Sequence, residues 1–387
     1  MRVALLSSSA TATSGWGRFT VDLGCALLER DDVEMRLFIP RDAAPPDDAE
    51  LASRTERTLP PARPSFRRAP WTLRDYIGRQ TMPGGIDVVH AAVEYPYALV
   101  AHAMARRAQV PWIVSAHGTY GVVPLQRRPD RWVYRAALGG AAAVTVPSLY
   151  TRDAMVQAMG GPVRVQLLPN AVNLGRFSRA AGSDDVRNRF GIPAAGRLVL
   201  SVGHLKPRKG FDVLARALRI VRADGVDAHL VVVGPGNASL LRAQAGELGL
   251  DCFVHVLGEV GEPDLVALYH ACDLFALLPR VDSGHFEGFG LVFLEANACG
   301  KPTVGTRSGG VPDAIVDGET GYLVDEDDET AAAAAIVRVL ADEALASRLG
   351  AGARRWASAH SWPAYVDRLV ALYRDVLDHE DARSRTR

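Results

Sequence analysis

Two series of short apolar runs, separated by a polar stretch, organise this chain. The first reads RVALLSS, EMRLFIP, DVVHAA, PWIVSAHG, AAVTVPS and RVQLLPN, and the second RLVLSVG, HLVVVG, FVHVLG, LFALLP, PTVGT and GYLV. The runs are continuous rather than alternating, as expected of strands covered on both faces. Helical periodicity lies between most of them, which predicts an α/β chain of two open, mostly parallel sheets. The polar segment SRAAGSDDVRNRFGIP parts the two series, and a hinge is expected near residues 171–190. Open α/β sheets bind ligands outside the carboxyl ends of their strands, so two of them predict a ligand cleft. Residues 41–70, rich in proline, read as a long irregular segment. The Ala-rich stretch 329–358 reads as helical, and SWPAYVDRLVALYRDV as a helix from Ser361 with Pro363 in its first turn.

Composition narrows the class. With 387 residues, 48% of them hydrophobic, the chain can bury a large core and is expected to form two domains. Lys plus Arg and Asp plus Glu number 44 each, so no overall charge draws the chain to nucleic acid. The start, MRVALLSSSA, carries too short an apolar run for a signal peptide, and no window approaches the roughly 18 apolar residues of a membrane span. Cys25, Cys252, Cys272 and Cys299 lie far apart without metal-ligand spacing and read as reduced, buried thiols. A cytoplasmic location is the expectation.

Candidate chemistry gathers at three glycine-rich turns. SGWGRF follows the first strand and opens a helix, VGHLKPRKGF follows the first strand of the second series, and GHFEGFG precedes the apolar helix LVFLEANAC. A helix N-terminus offers unpaired N–H groups and a positive dipole end to an anion, and glycine lets the backbone approach it. Lys206, Arg208 and Lys209 stand beside one of these turns, so a phosphate-bearing ligand is expected. The helix after GHFEGFG is apolar on every side, the pattern of a buried helix, yet holds Glu295; Glu287 stands eight residues earlier in the turn. Side chains in a helix lean toward its N-terminus, which aims Glu295 at the anion end. A buried carboxylate needs partners, and a ribose diol supplies two donors. Glu287 is placed to accept hydroxyls of a second sugar.

EGFGLVFLE resembles the E-x7-E signature of retaining GT-B glycosyltransferases of the family 4 type. LLPNAVNLGRF resembles that family's interdomain segment, and SVGHLKPRKGFDVLARAL its phosphate-binding turn. ACDLFALLP and SGGVPDAIVDGETGYLV are similar to its late second-domain pattern, and SAHGTY and SGWGRF to weaker first-domain motifs. The resemblance implies two Rossmann-like domains with an interdomain cleft. Residues 1–172 would bind acceptor, residues 173–360 would bind a nucleotide sugar, and a last helix, about 361–380, would pack back on the first domain.

Carried over residue by residue, the resemblance makes Glu295 the ribose ligand and Glu287 the carboxylate near the donor sugar. Backbone amides of Phe289, Gly290 and Leu291 would contact the sugar and diphosphate. Lys209 would neutralise the departing diphosphate, with Gly15 and Gly17 approaching from the first domain. His117 would lie near the transferred sugar, and Val256, Leu257 and Gly258 would border the base. Where the family usually has Arg, this chain has His204, so Lys206 and Arg208 are left to supply the second cation.

The resemblance further implies a metal-independent hexosyltransferase with no cofactor beyond the co-substrate, expected to be UDP-linked, and front-face attack with retention. The D-x-D in DEDDE, residues 325–329, reads instead as a solvated helix start. A solute-binding protein would have no use for cationic phosphate turns, and a nicotinamide dehydrogenase needs a full G-x-G-x-x-G, which SGWGRF lacks. A nucleotide-sugar epimerase is the nearest rival, and would be expected to lack EGFGLVFLE.

For the acceptor, the chain is similar in style to enzymes of antibiotic biosynthesis that glycosylate an aminocyclitol, here with a glucose- or N-acetylglucosamine-type hexose. Transfer to a membrane lipid or polyprenyl-linked acceptor is the alternative. Residues 54–79, with seven arginines among Phe66 and Trp71, read as a solvated loop in preference to a membrane-docking segment.

Overall fold

The computed structural model describes residues 1–11, 15–61, 84–128, 130–177 and 183–385. The chain divides into two compact units, Met1–Pro169 with Trp362–Arg387, and Asn170–Ser361.

The first unit is built on seven strands, β1 (Arg2–Leu6), β2 (Glu34–Pro40), β3 (Thr55–Leu59), β4 (Val88–Ala91), β5 (Trp112–Ser115), β6 (Ala143–Val146) and β7 (Val165–Leu167). Their order is β3-β2-β1-β4-β5-β6-β7 and every pairing is parallel. The inner strands β4, β5 and β6 are buried at every position, because helices cover both faces. The helix Gly15–Leu28 buries Phe19, Leu23 and Leu27, one stripe at four-residue spacing. Phe19 meets Trp362 and Tyr365 of the final helix, Trp362–Arg385, edge-on at ring separations of 5.3 and 5.9 Å. Farther along that helix, the Tyr373 hydroxyl lies 2.7 Å from His90 Nδ1.

In the second unit six strands, β8 (Arg197–Val202), β9 (Ala228–Val233), β10 (Val254–Gly258), β11 (Leu274–Ala276), β12 (Thr303–Thr306) and β13 (Gly321–Val324), run in the order β10-β9-β8-β11-β12-β13, again all parallel. Every apolar run of the two series forms a strand. No described helix is long and apolar enough to cross a membrane.

Three expectations need correction. The segment 41–70 is not wholly irregular: Asp48 accepts from the Leu51 N–H and caps the helix Ala49–Ser53, and β3 follows. Residues 62–83 of that segment and its surroundings lie outside the described residues, including most of the arginine-rich stretch 54–79. The Ala-rich stretch is two helices, Glu329–Ala341 and Glu343–Ala359, because Asp342 ends the first and caps the second by accepting from the Leu345 N–H. Of the cysteines, Cys272 and Cys299 are buried, Cys25 is half-buried and Cys252 is exposed, so the thiols are not uniformly interior.

Candidate functional site

The turn after β8 is fixed by backbone geometry. Gly203 leads into His204, Pro207–Lys209 form a single 3-10 turn, and Gly210 (φ 70°) starts the helix Phe211–Ala223. A Cβ on Gly210 would stand 1.8 Å from the Leu278 carbonyl oxygen, just past β11, so only glycine allows the turn to close on the sheet edge. That contact sends Lys209 inward, where it is buried, while His204 and Lys206 remain exposed and Arg208 half-buried.

Lys209 meets Glu287. Its Nζ donates to Glu287 Oε2 at 2.5 Å, and Arg208 reaches the same oxygen at 3.5 Å. Burial pushes the Glu287 carboxyl up, but Lys209 first and Arg208 second outweigh it and hold the carboxyl below its ordinary value. Of the residues assigned to the diphosphate and the donor sugar, these three therefore form one ion cluster. His204 lies outside it.

Gly290 (φ 93°) supplies the left-handed residue that turns the chain into the helix Leu291–Ala298, whose first turn has no side-chain cap. This helix is not buried all round. Leu291, Val292 and Glu295 are half-exposed and share one face, while Phe293, Leu294, Ala296, Asn297 and Ala298 face the core. Residues 291 and 295 are one turn apart, so the half-open stripe runs from the uncapped end to the carboxylate. The Tyr269 hydroxyl donates to Glu295 Oε2 at 2.7 Å. Tyr269 is fully buried in the helix Glu262–Ala271, and burial, with the Glu295 charge second, keeps its hydroxyl protonated far above the ordinary range. Phe289 is buried beside Gly290. Val256, Leu257 and Gly258 end the edge strand β10 half-exposed, and the register on β9 shifts between Val256 and Gly258.

In the first unit, Gly15 begins its helix exposed and Gly17 is buried one residue on from Trp16. His117 follows β5. Its Nε2–H donates to the Ala92 carbonyl at 2.7 Å, and Phe19 packs edge-on to its ring. Burial pushes the imidazole down to about 4, with the Ala92 carbonyl opposing, so near pH 7 the ring is neutral and Nδ1 is its acceptor face.

Two residues escaped the sequence reading. Tyr269 sits in LVALYHA and looks like any core tyrosine; its contact lies 26 positions away. Glu94, beyond β4, is 2% exposed, and burial pushes its carboxyl up to about 7 against the opposing backbone N–H groups of Glu94 and His117. The acids of DEDDE have structural duties: Asp327 pairs with Arg280, and Asp328 caps the helix Glu329–Ala341 through the Ala331 N–H.

Residues 13–176 match the family profile described as Glycosyltransferase Family 4, and residues 183–356 the profile described as Glycosyl transferases group 1. A GDP-mannose-dependent alpha-(1-6)-phosphatidylinositol monomannoside mannosyltransferase of Mycolicibacterium smegmatis is 34% identical over 280 residues, 70% of this chain and 72% of that protein. The chain belongs to the family 4 glycosyltransferases. A D-inositol 3-phosphate glycosyltransferase of Salinispora arenicola is 37% identical over 231 residues, 56% of this chain and 50% of that protein. Among solved structures, sucrose-phosphate synthase of Thermosynechococcus elongatus is 24% identical with TM-score 0.74, covering 98% of this glycosyltransferase and 100% of that chain. The Anabaena protein HepE in complex with UDP is 20% identical with TM-score 0.73, covering 99% and 100%. The fold is GT-B, with two parallel-sheet Rossmann-like units.

Proposed function

We propose that this glycosyltransferase moves a hexosyl group, with retention and without a divalent metal, from a nucleoside diphosphate sugar to a ring hydroxyl of a cyclitol. The observation that carries the reading is the ion cluster of buried Lys209 with half-buried Arg208 and Glu287, beside the uncapped end of the helix Leu291–Ala298. Departure of a nucleoside diphosphate builds negative charge on its oxygens, and fixed cations with a helix N-terminus meet that charge without reorganisation. Glu295, held by Tyr269, is offered to the ribose, Glu287 to the sugar, and Val256 to Gly258 to the base. His117, neutral near pH 7, is an acceptor for a sugar hydroxyl through Nδ1.

The two relatives differ in activity, yet both names contain inositol. That supports a cyclitol acceptor, of which an aminocyclitol is one variant. The first of them uses GDP-mannose by name, and this donor takes precedence over the UDP-linked hexose expected from the sequence.

The test is a matrix of GDP-mannose, UDP-glucose and UDP-N-acetylglucosamine against inositol, inositol phosphate, phosphatidylinositol and an aminocyclitol, with chelator present and products read by mass spectrometry. Transfer to at least one cyclitol, with the anomeric configuration kept, is expected. Epimerisation without transfer, or transfer abolished by chelation, overturns the reading.

A further inference from the structure

Between the helices Phe211–Ala223 and Ser239–Glu247 the second unit holds a cavity of about 230 Å³. It lies just past the ends of β8 and β9, where the two loops are fastened together. The Leu205 N–H donates to the Pro235 carbonyl at 2.8 Å, and Leu205 bridges to Gly236.

The cavity is on the face away from Glu295. The chain steps from β8 to β9 to β10 in one direction along the sheet, then returns past β8 to β11 and β12 in the other. Right-handed crossovers therefore set the helices that follow β8 and β9 on one face. Glu262–Ala271 and Leu291–Ala298, which carry Tyr269 and Glu295, fall on the opposite face.

The lining combines apolar walls with one unspent charge. Phe211 and Leu241 are buried walls, and Leu205 and Pro207 extend them. Leu240 stands at the cavity 76% exposed, more than any other large hydrophobic side chain among the described residues. Most polar groups of the lining are engaged within the protein. Arg280 pairs with Asp212 at 3.2 Å and with Asp327 at 2.7 Å, Gln244 Nε2 donates to the Asp212 carbonyl, and Asn237 Oδ1 accepts from the Ser239 N–H. Lys206 differs. Its ammonium has no ion-pair or hydrogen-bond partner among the described residues, and it lines this cavity while Arg208 and Lys209 meet Glu287.

We propose that this cavity is a second ligand site, for a small molecule with an apolar body and one carboxylate. The walls take the body, and Lys206, whose charge nothing in the lining offsets, takes the carboxylate. The volume falls below the roughly 300–1,000 Å³ of pockets for drug-sized molecules, so it suits an aromatic ring on a short chain and not a nucleotide sugar. Lys206 and Pro207 belong to the same turn as Arg208 and Lys209, and a ligand here rests on the back of that turn. The site does not depend on which sugar is transferred, because its occupancy is measured without turnover.

The experiment is isothermal titration calorimetry of the full-length protein with 4-phenylbutyrate and with its uncharged analogue 4-phenylbutanol. The acid should bind with one-to-one stoichiometry, about two- to fivefold tighter than the alcohol, the range of an exposed ion pair. Lys206→Met should bind the two alike. Leu240→Ala should weaken both by about fivefold through lost apolar contact. Glu295→Gln, on the opposite face, should bind the acid as the wild type does. Lys206 and Leu240 are exposed, and equal thermal melts would show that their variants fold. No saturable binding, no preference for the acid, or variants at Lys206 and Leu240 that bind as the wild type does would overturn the proposal. So would an equal loss in Glu295→Gln, which would put the probe in the donor site, or a dimer, seen by sedimentation velocity, that Leu240→Ala dissociates.

Discussion

Lys209 Nζ and Glu287 Oε2 lie 2.5 Å apart, both side chains nearly buried, so the residue assigned to the leaving diphosphate and the one assigned to the sugar hold each other in place. If Lys209 meets charge that develops as the nucleotide leaves, its effect belongs to turnover. Lys209→Ala should cut kcat roughly a hundred- to thousandfold with a smaller change in KM. Steady-state kinetics decide it; a rise in KM alone would make Lys209 a ground-state anchor.

The same pair makes a stability prediction. Removing one partner of a buried ion pair leaves an uncompensated charge and costs about 3–5 kcal/mol, an upper range here because Arg208 also reaches Glu287. Lys209→Met should therefore destabilise the fold more than Lys209→Met with Glu287→Gln. Denaturant unfolding at pH 7 measures both. In the wild type Glu287 ionises below its ordinary value when folded, so the contribution of the intact pair should be full above about pH 4.5 and fade as pH falls further.

Glu295 and Tyr269 form a second pair, joined by a hydrogen bond. Glu295→Gln and Tyr269→Phe should each weaken binding of the free nucleoside diphosphate, the first by about 1.5–3 kcal/mol, the usual range for hydrogen bonds to a charged group. Glu287→Gln should leave free-nucleotide affinity nearly unchanged and depress transfer. Calorimetric titration of all three variants makes the comparison. Equal losses for Glu287→Gln and Glu295→Gln would place the ribose elsewhere.

Acid should loosen the first unit through its histidines. Burial pushes His90 down to about 3 and His117 to about 4. A depressed folded value means that the stability these rings contribute is complete above about pH 6.5 and is lost as pH falls through the folded values. Thermal melts between pH 7 and pH 4 should fall more steeply for wild type than for His117→Gln.

Glu94 carries the opposite sign. Its folded value, raised to about 7, makes its contribution complete below about pH 4.5 and lost as pH rises through 7. Glu94→Gln should therefore stabilise the protein at pH 8 by roughly 2 kcal/mol and do little at pH 5. Unfolding curves at the two pH values test it, and destabilisation at pH 8 would reverse the assignment.

Strands with continuous apolar sequence were plain before the fold was known: EMRLFIP coincides with β2, Glu34–Pro40. TERTL was hidden because β3 is an edge strand with only Leu59 buried, and its alternating charges look like loop. The two carboxylates of HFEGFGLVFLE and the cations of LKPRKGF were legible because local spacing carries them. Their mutual pairing was not, since Lys209 and Glu287 are 78 positions apart and meet only where β8 and β11 end side by side. The half-open stripe of the helix Leu291–Ala298 was illegible for a related reason: Leu and Val on a half-open face have the same letters as Leu and Val in a core.

The Leu278 carbonyl, filling the space a side chain would take at Gly210, has a thermodynamic consequence. A loop anchored in this way to a strand end has few backbone states to surrender when an anion arrives. On the proposed function, nucleotide capture at this turn would forgo most of the ordering entropy that a mobile loop would lose, leaving affinity to charge and desolvation. The turn is preorganised, with Lys209 already held against Glu287.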